Sequence, residues 1–145
     1  MSTHKRVDIM FVTSPSNATS KYMPLYYLSL AGYLEKKGFL TEIVDPHFRS
    51  REANIKVILR EITDKKPRYV GLACFVTDYQ VVADLAGRIR KCSDATILVG
   101  NAQPSICPED FLFEGSSFDI VVRGEGELTV EEILSGRGGP GGWGS

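Results

Sequence analysis

Phe118-Asp119-Ile120-Val121-Val122-Arg123-Gly124-Glu125-Gly126-Glu127 runs directly into Leu128-Thr129-Val130-Glu131-Glu132-Ile133-Leu134, and this junction decides how the chain folds. An apolar strand-like run ends in two glycines and two carboxylates, and an amphipathic segment follows. Such a junction places backbone and charge at the carboxyl edge of a sheet. In open α/β sheets that edge is where ligands sit.

The same unit recurs upstream. Val7 to Val12 is mostly apolar and reads as a buried strand. A polar loop, Thr13 to Tyr22, leads to Pro24, which suits the first turn of a helix because its missing N–H would be unpaired there. That helix is expected to reach Lys37 and to bury Leu25, Leu28, Ala31 and Leu34, with Gly38 as a left-handed cap. Phe39 to Val44 is a second strand, ended by Asp45-Pro46-His47. Ser50 caps a second helix carrying Ile55, Ile58, Leu59 and Ile62 inward, and Pro67 breaks the chain after it. Tyr69 to Phe75 is a third strand. Thr77-Asp78-Tyr79-Gln80 has capping-box form, ahead of a helix burying Val81, Val82, Leu85, Ala86 and Ile89. Ala95 to Val99 is a fourth strand, a short helix starts near Pro108, and a last helix starts near Thr129.

Strands and helices that alternate in this way predict one α/β domain over residues 1–135, doubly wound around a five-stranded parallel sheet. Residues 136–145 include six glycines and the single Trp143, and are expected to be a linker or tail outside the fold.

Composition narrows the function. The 145 residues suit one domain, and 43% hydrophobic content fills one core. A formal net charge of −1, with both signs mixed, argues against a nucleic-acid surface or a polybasic membrane anchor. No apolar run approaches the ~20 residues that span a bilayer, and the start lacks a signal-peptide core, so a cytoplasmic location is expected. Cys74, Cys92 and Cys107 form no CxxC pair, which gives a zinc or dithiol site little support.

The unusual residues all follow strands: Thr13 to Asn17, Val76 to Asp78, Gly100 to Gln103, and Gly124 to Glu127. Four such loops share one edge and can form one site. The first turn lacks GxGxxG and GxxxxGK[ST]. Asp8 lies within the first strand and Asp45 stands alone, so the clustered acids of a receiver domain are missing. No catalytic pair stands out. Asp45 and His47 can pair, but a lone loop histidine is more often solvated. Glu125 and Glu127 favour a helix N-terminus over acid–base work.

The pattern resembles the N-terminal cobalamin-binding domain of cobalamin-dependent radical S-adenosylmethionine (SAM) enzymes. The matching pieces are Pro24 to Phe39, Val44-Asp45-Pro46, Tyr69 to Cys74, Ile97 to Pro104, and Asp119 to Glu127. The resemblance implies a flavodoxin-like, Rossmann-like sheet with strand order 2-1-3-4-5. It also implies that the corrin ring and its cobalt lie over the carboxyl edge, with the nucleotide tail between the sheet and neighbouring loops. The residues it points to are Thr13, Ser14, Pro15, Ser16, Tyr22, Pro24, Leu25, Ala73, Cys74, Phe75, Thr77, Gly100, Asn101, Ala102, Gln103, Gly124, Glu125 and Glu127. A radical SAM barrel, with its iron–sulfur cluster and S-adenosylmethionine, is expected as a separate downstream partner domain. The CxxxCxxC triad of that barrel is not in these residues.

The chain departs from the family pattern in three places. The first loop has no histidine for cobalt, and Asp45-Pro46-His47 follows the second strand instead. Ala73 stands where a serine usually meets the nucleotide base, and Gly100-Asn101 stands where Gly-Gly is usual. A domain holding the corrinoid without a protein histidine is the main expectation. A docking module of the same fold that binds nothing, or a flavin-binding domain using the Ser/Thr-rich first loop, are the alternatives.

Overall fold

A computed structural model describes residues 6–15, 25–48, 50–74, 79–100, 108–123 and 126–136. Its strands are β1 (Ile9–Val12), β2 (Thr41–Val44), β3 (Tyr69–Ala73), β4 (Thr96–Gly100) and β5 (Ile120–Val121). Its helices are α1 (Leu25–Lys36), α2 (Arg51–Lys65), α3 (Tyr79–Cys92) and α4 (Glu127–Ser135), with a 3-10 turn at Pro108–Asp110. The sheet order is β2-β1-β3-β4-β5 and every pairing is parallel. This is the flavodoxin-like arrangement.

Side chains alternate across the sheet because successive strand residues point to opposite faces. Met10, Val12, Val70, Leu72, Ile97 and Val99 face α2 and α3, where Ile55, Ile58, Ile62, Val82, Leu85, Ala86 and Ile89 meet them. Ile9, Phe11, Ala73, Leu98 and Val122 face α1 and α4, where Tyr27, Ala31, Leu34, Val130 and Ile133 meet them. Both faces of the central strands are therefore buried, which explains their near-continuous apolar sequence.

The helix ends follow local chemistry. Ser50 accepts a hydrogen bond from the Ala53 N–H at 3.3 Å and caps α2. Gly38 has φ +93°. Around it, Phe39 N donates to Leu34 O at 3.1 Å and Gly38 N to Glu35 O at 3.0 Å, the paired bonds of a Schellman cap. Thr77 of the predicted capping box lies outside the described residues.

The buried stripe of α1 differs from the sequence reading. Tyr27, Ala31 and Leu34 are buried, while Leu25 is 70% and Leu28 41% exposed. At about 100° per residue, a repeat of every third position rotates steadily around the helix. Leu25 therefore falls about opposite Leu34. Spacings of four and three keep Tyr27, Ala31 and Leu34 on one side.

Strand β5 is only two residues long and depends on side chains for its position. Asp119 accepts the Ile97 N–H at 2.8 Å and pairs with Arg90. Arg90 also donates to Ser117 O at 2.9 Å, tying α3 to the β5 entry. This anchoring sets where Val122 and the start of α4 lie. At the other edge, the Asn54 amide makes two bonds to the Phe48 backbone, at 2.8 and 3.3 Å, and fixes the chain between β2 and α2.

Candidate functional site

A cavity of about 490 Å³ opens at the carboxyl edge, between the sheet and helices α1 and α4. That volume lies within the range of small-molecule sites, about 300–1,000 Å³. Its origin is a row of small residues. On the α1/α4 face, Phe11 is in register with Gly71, Gly71 with Leu98, and Ala73 with Gly100. Gly71, Ala73 and Gly100 leave little above the ends of β3 and β4. The flanks are Tyr26, Tyr27, Ser29 and Leu30 of α1, Val122, and Gly126, Glu127 and Val130 at the start of α4.

The two glycines do different things. A Cβ on Gly71 would lie 2.8 Å from Phe11 Cδ1, so this glycine lets the Phe11 ring lie across β3. Phe11 is held there by stacking on Tyr27, with ring centroids 5.1 Å apart. A Cβ on Gly100 would lie 3.4 Å from Val122 O and 3.6 Å from Val122 Cβ, ordinary contact distances. A side chain at 100 thus fits the fold but occupies the cavity.

Tyr27 is 3% exposed, and its hydroxyl donates to Val12 O at 2.7 Å. Burial pushes its ionisation well above the ordinary value of 10.0, with the adjacent Tyr26 adding to the shift. Its proton stays in place at neutral pH, and the buried side chains around it carry no charge, Glu127 being the one carboxylate of the lining.

The carboxyl end of β1 carries a second set of contacts. Thr13 N donates to Val44 O at 3.1 Å and its hydroxyl to Asp45 Oδ1 at 2.8 Å. His47 Nε2 lies 2.9 Å from Asp45 Oδ2. Ser14 Oγ is buried without a hydrogen-bond partner among the described residues. Asp8 is at the opposite edge, accepting the Leu40 N–H at 2.8 Å and pairing with Arg68 at 3.2 Å.

Of the residues singled out in the sequence, Ala73, Gly100, Gly126 and Glu127 line the cavity. Thr13, Ser14 and the buried Pro15 follow β1 at the same edge of the sheet, outside the cavity lining. Leu25 begins α1 and is exposed. Cys74 is buried on the α2/α3 side, because it follows Ala73 by one and points to the other face. Its N–H donates to Gly100 O at 3.0 Å. Ser16, Tyr22, Pro24, Phe75, Thr77, Asn101, Ala102, Gln103, Gly124 and Glu125 lie outside the described residues.

Sequence reading by loops missed the strand-borne and helix-borne lining: Phe11, Gly71, Leu72, Leu98, Val99, Tyr26, Tyr27, Ser29, Leu30, Val122 and Val130. The signal for some of them was present. Stepping back by two from Ala73 and Gly100 reaches Gly71 and Leu98 on the same face.

Among the described residues, no three His, Cys, Asp or Glu side chains are grouped to hold a metal ion. No helix among them is long and apolar enough to cross a membrane.

Comparison with known proteins agrees with this fold. Solved structures share the fold at low identity. The radical SAM methyltransferase TsrM from Kitasatospora setae, with cobalamin and a [4Fe-4S] cluster bound, is 23% identical over 90% of this chain, TM-score 0.73. The cobalamin-dependent SAM radical enzyme OxsB, with aqua-cobalamin bound, is 20% identical over 90% of this chain, TM-score 0.73. The chain spans only 24% and 19% of those two proteins. A sequence search of curated proteins gave no match. The family profile described as B12 binding domain matches residues 16–134. This chain therefore belongs to the B12-binding domain family.

Proposed function

We propose that the chain holds cobalamin over the carboxyl edge of its sheet, seats the nucleotide tail in the α1/α4 cavity, and puts no histidine on the cobalt. In this reading it presents the corrinoid to a separate radical SAM catalytic barrel. The observation that carries the proposal is the cavity itself, a largely apolar space made by Gly71, Ala73 and Gly100 where a Cβ at Gly100 would intrude. Ser14 Oγ, buried at the same edge with no hydrogen-bond partner among the described residues, adds a polar group that a ligand can satisfy. These residues fit a flat, largely apolar tail.

When bound, the corrinoid supplies cobalt-centred reactivity for methyl transfer, cyclisation or related radical chemistry. The chain's own residues hold and orient. Phe11, Leu98, Val122 and Val130 exclude water from the cavity. The stacked Phe11 and Tyr27 rings keep its wall from collapsing. His47 already engages Asp45 and follows β2, whereas the cavity is built on β1, β3 and β4.

Titration with hydroxocobalamin, followed by visible absorption after gel filtration, tests the proposal, with flavin mononucleotide as control. A bound corrinoid spectrum with no retained flavin is the expected outcome. His47→Ala should leave that spectrum unchanged; a shift in the cobalt bands would make His47 a ligand. Absence of retained corrinoid at micromolar concentration would favour a docking module that binds no cofactor.

A further inference from the structure

We infer that the inner wall of the cavity selects the base of the corrinoid tail, taking dimethylbenzimidazole and rejecting a purine. This rests on the reading that the tail occupies the α1/α4 cavity. The buried lining side chains are Phe11, Tyr27, Ala73, Leu98, Val122 and Val130, each at most 7% exposed. Five carry no side-chain polar atom. The sixth, Tyr27, has its only proton committed to Val12 O at 2.7 Å. The other side-chain polar groups of the lining are on the exposed Tyr26 and Ser29, in the first two turns of α1, and on the half-buried Glu127, at the start of α4.

The consequence follows from the chemistry of the two bases. The six-membered ring of dimethylbenzimidazole is all carbon and bears two methyl groups. The six-membered ring of adenine contains two nitrogens and bears an amino group. Inside this wall the two ring nitrogens find no side-chain donor, because the Tyr27 proton is already committed, and an unpaired buried polar group weakens binding by roughly tenfold or more. The two methyl groups gain from the same surface. Ala73 is the position that matters most. It lies at the cavity floor in register with Gly100, where a hydroxyl would offer the one missing partner.

The test compares three corrinoids on the full chain by equilibrium dialysis: hydroxocobalamin, its adenine-based counterpart, and cobinamide, which lacks the nucleotide. Hydroxocobalamin should bind at least tenfold more tightly than the adenine form, and the adenine form no better than cobinamide. Ala73→Ser should narrow the gap between the two bases without loss of thermal stability. Equal affinity for the two bases, both exceeding cobinamide, would overturn the selection while leaving the tail in the cavity. Equal affinity for all three would remove the tail from the cavity and the selection with it. Failure of all three to bind would overturn both the selection and the cobalamin reading.

Discussion

At the scale of single residues, Gly71 and Tyr27 form the tightest part of the site. Gly71→Ala would place a methyl 2.8 Å from a Phe11 ring that cannot swing away, because Tyr27 stacks on it. Overpacking of this kind destabilises by about 1–3 kcal/mol, and urea unfolding should show that loss. Tyr27→Phe removes the bond to Val12 O and should destabilise by about 0.5–1.5 kcal/mol at neutral pH. It should also change the alkaline behaviour. The folded chain holds the Tyr27 proton more tightly than the unfolded chain, so above pH 10 the unfolded state binds fewer protons. Stability therefore falls as pH rises from about 10 towards the raised folded value. In urea titrations between pH 8 and 11, Tyr27→Phe should show a shallower fall than the wild type.

At the scale of elements, the site is a gap between helices laid over the ends of strands. Tyr33 of α1 donates to Glu131 of α4 at 2.6 Å, and Tyr69 of β3 donates to Ile133 O at 3.4 Å, so the two helices are tied together and to the sheet. Tyr26, Tyr27, Ser29 and Leu30 of α1 and Glu127 and Val130 of α4 flank the space over Gly71, Ala73 and Gly100, and that space is the cavity. Gly100→Val tests this construction. Its Cβ meets Val122 at ordinary contact distance, so the far-UV circular dichroism should match wild type. Its branched methyls fill the cavity floor, so hydroxocobalamin affinity should fall by at least tenfold. A variant that folds and binds normally would show that the tail lies elsewhere.

At the scale of the molecule, two independently packed faces support one carboxyl edge. The α2/α3 side holds the larger cluster and includes Phe111, Phe118 and Cys74. The α1/α4 side is thinner towards the edge, where the cavity opens. A ligand that binds only the folded chain stabilises it by about 2.7 kcal/mol at a hundredfold excess over Kd. For a chain of this size that corresponds to a Tm rise on the order of 5–10 °C. Hydroxocobalamin should produce such a rise in a thermal melt, and flavin mononucleotide should not.

By itself the sequence determined the order and type of the elements, from Val7 to Leu134. Buried parallel strands are apolar throughout, and the caps at Ser50 and Gly38 are local chemistry, so both are written in adjacent residues. Only the tertiary structure decided which face of each strand meets which helix. Cys74 and Ala73 are neighbours in sequence but belong to opposite cores, because a one-residue step reverses the side chain. Tyr27, not Leu25 or Leu28, reaches the sheet, because the rotation of α1 is set by packing against Phe11. The cavity is likewise a product of register. Gly71, Ala73 and Gly100 are far apart or unremarked in sequence, and parallel pairing brings their missing side chains together in one place.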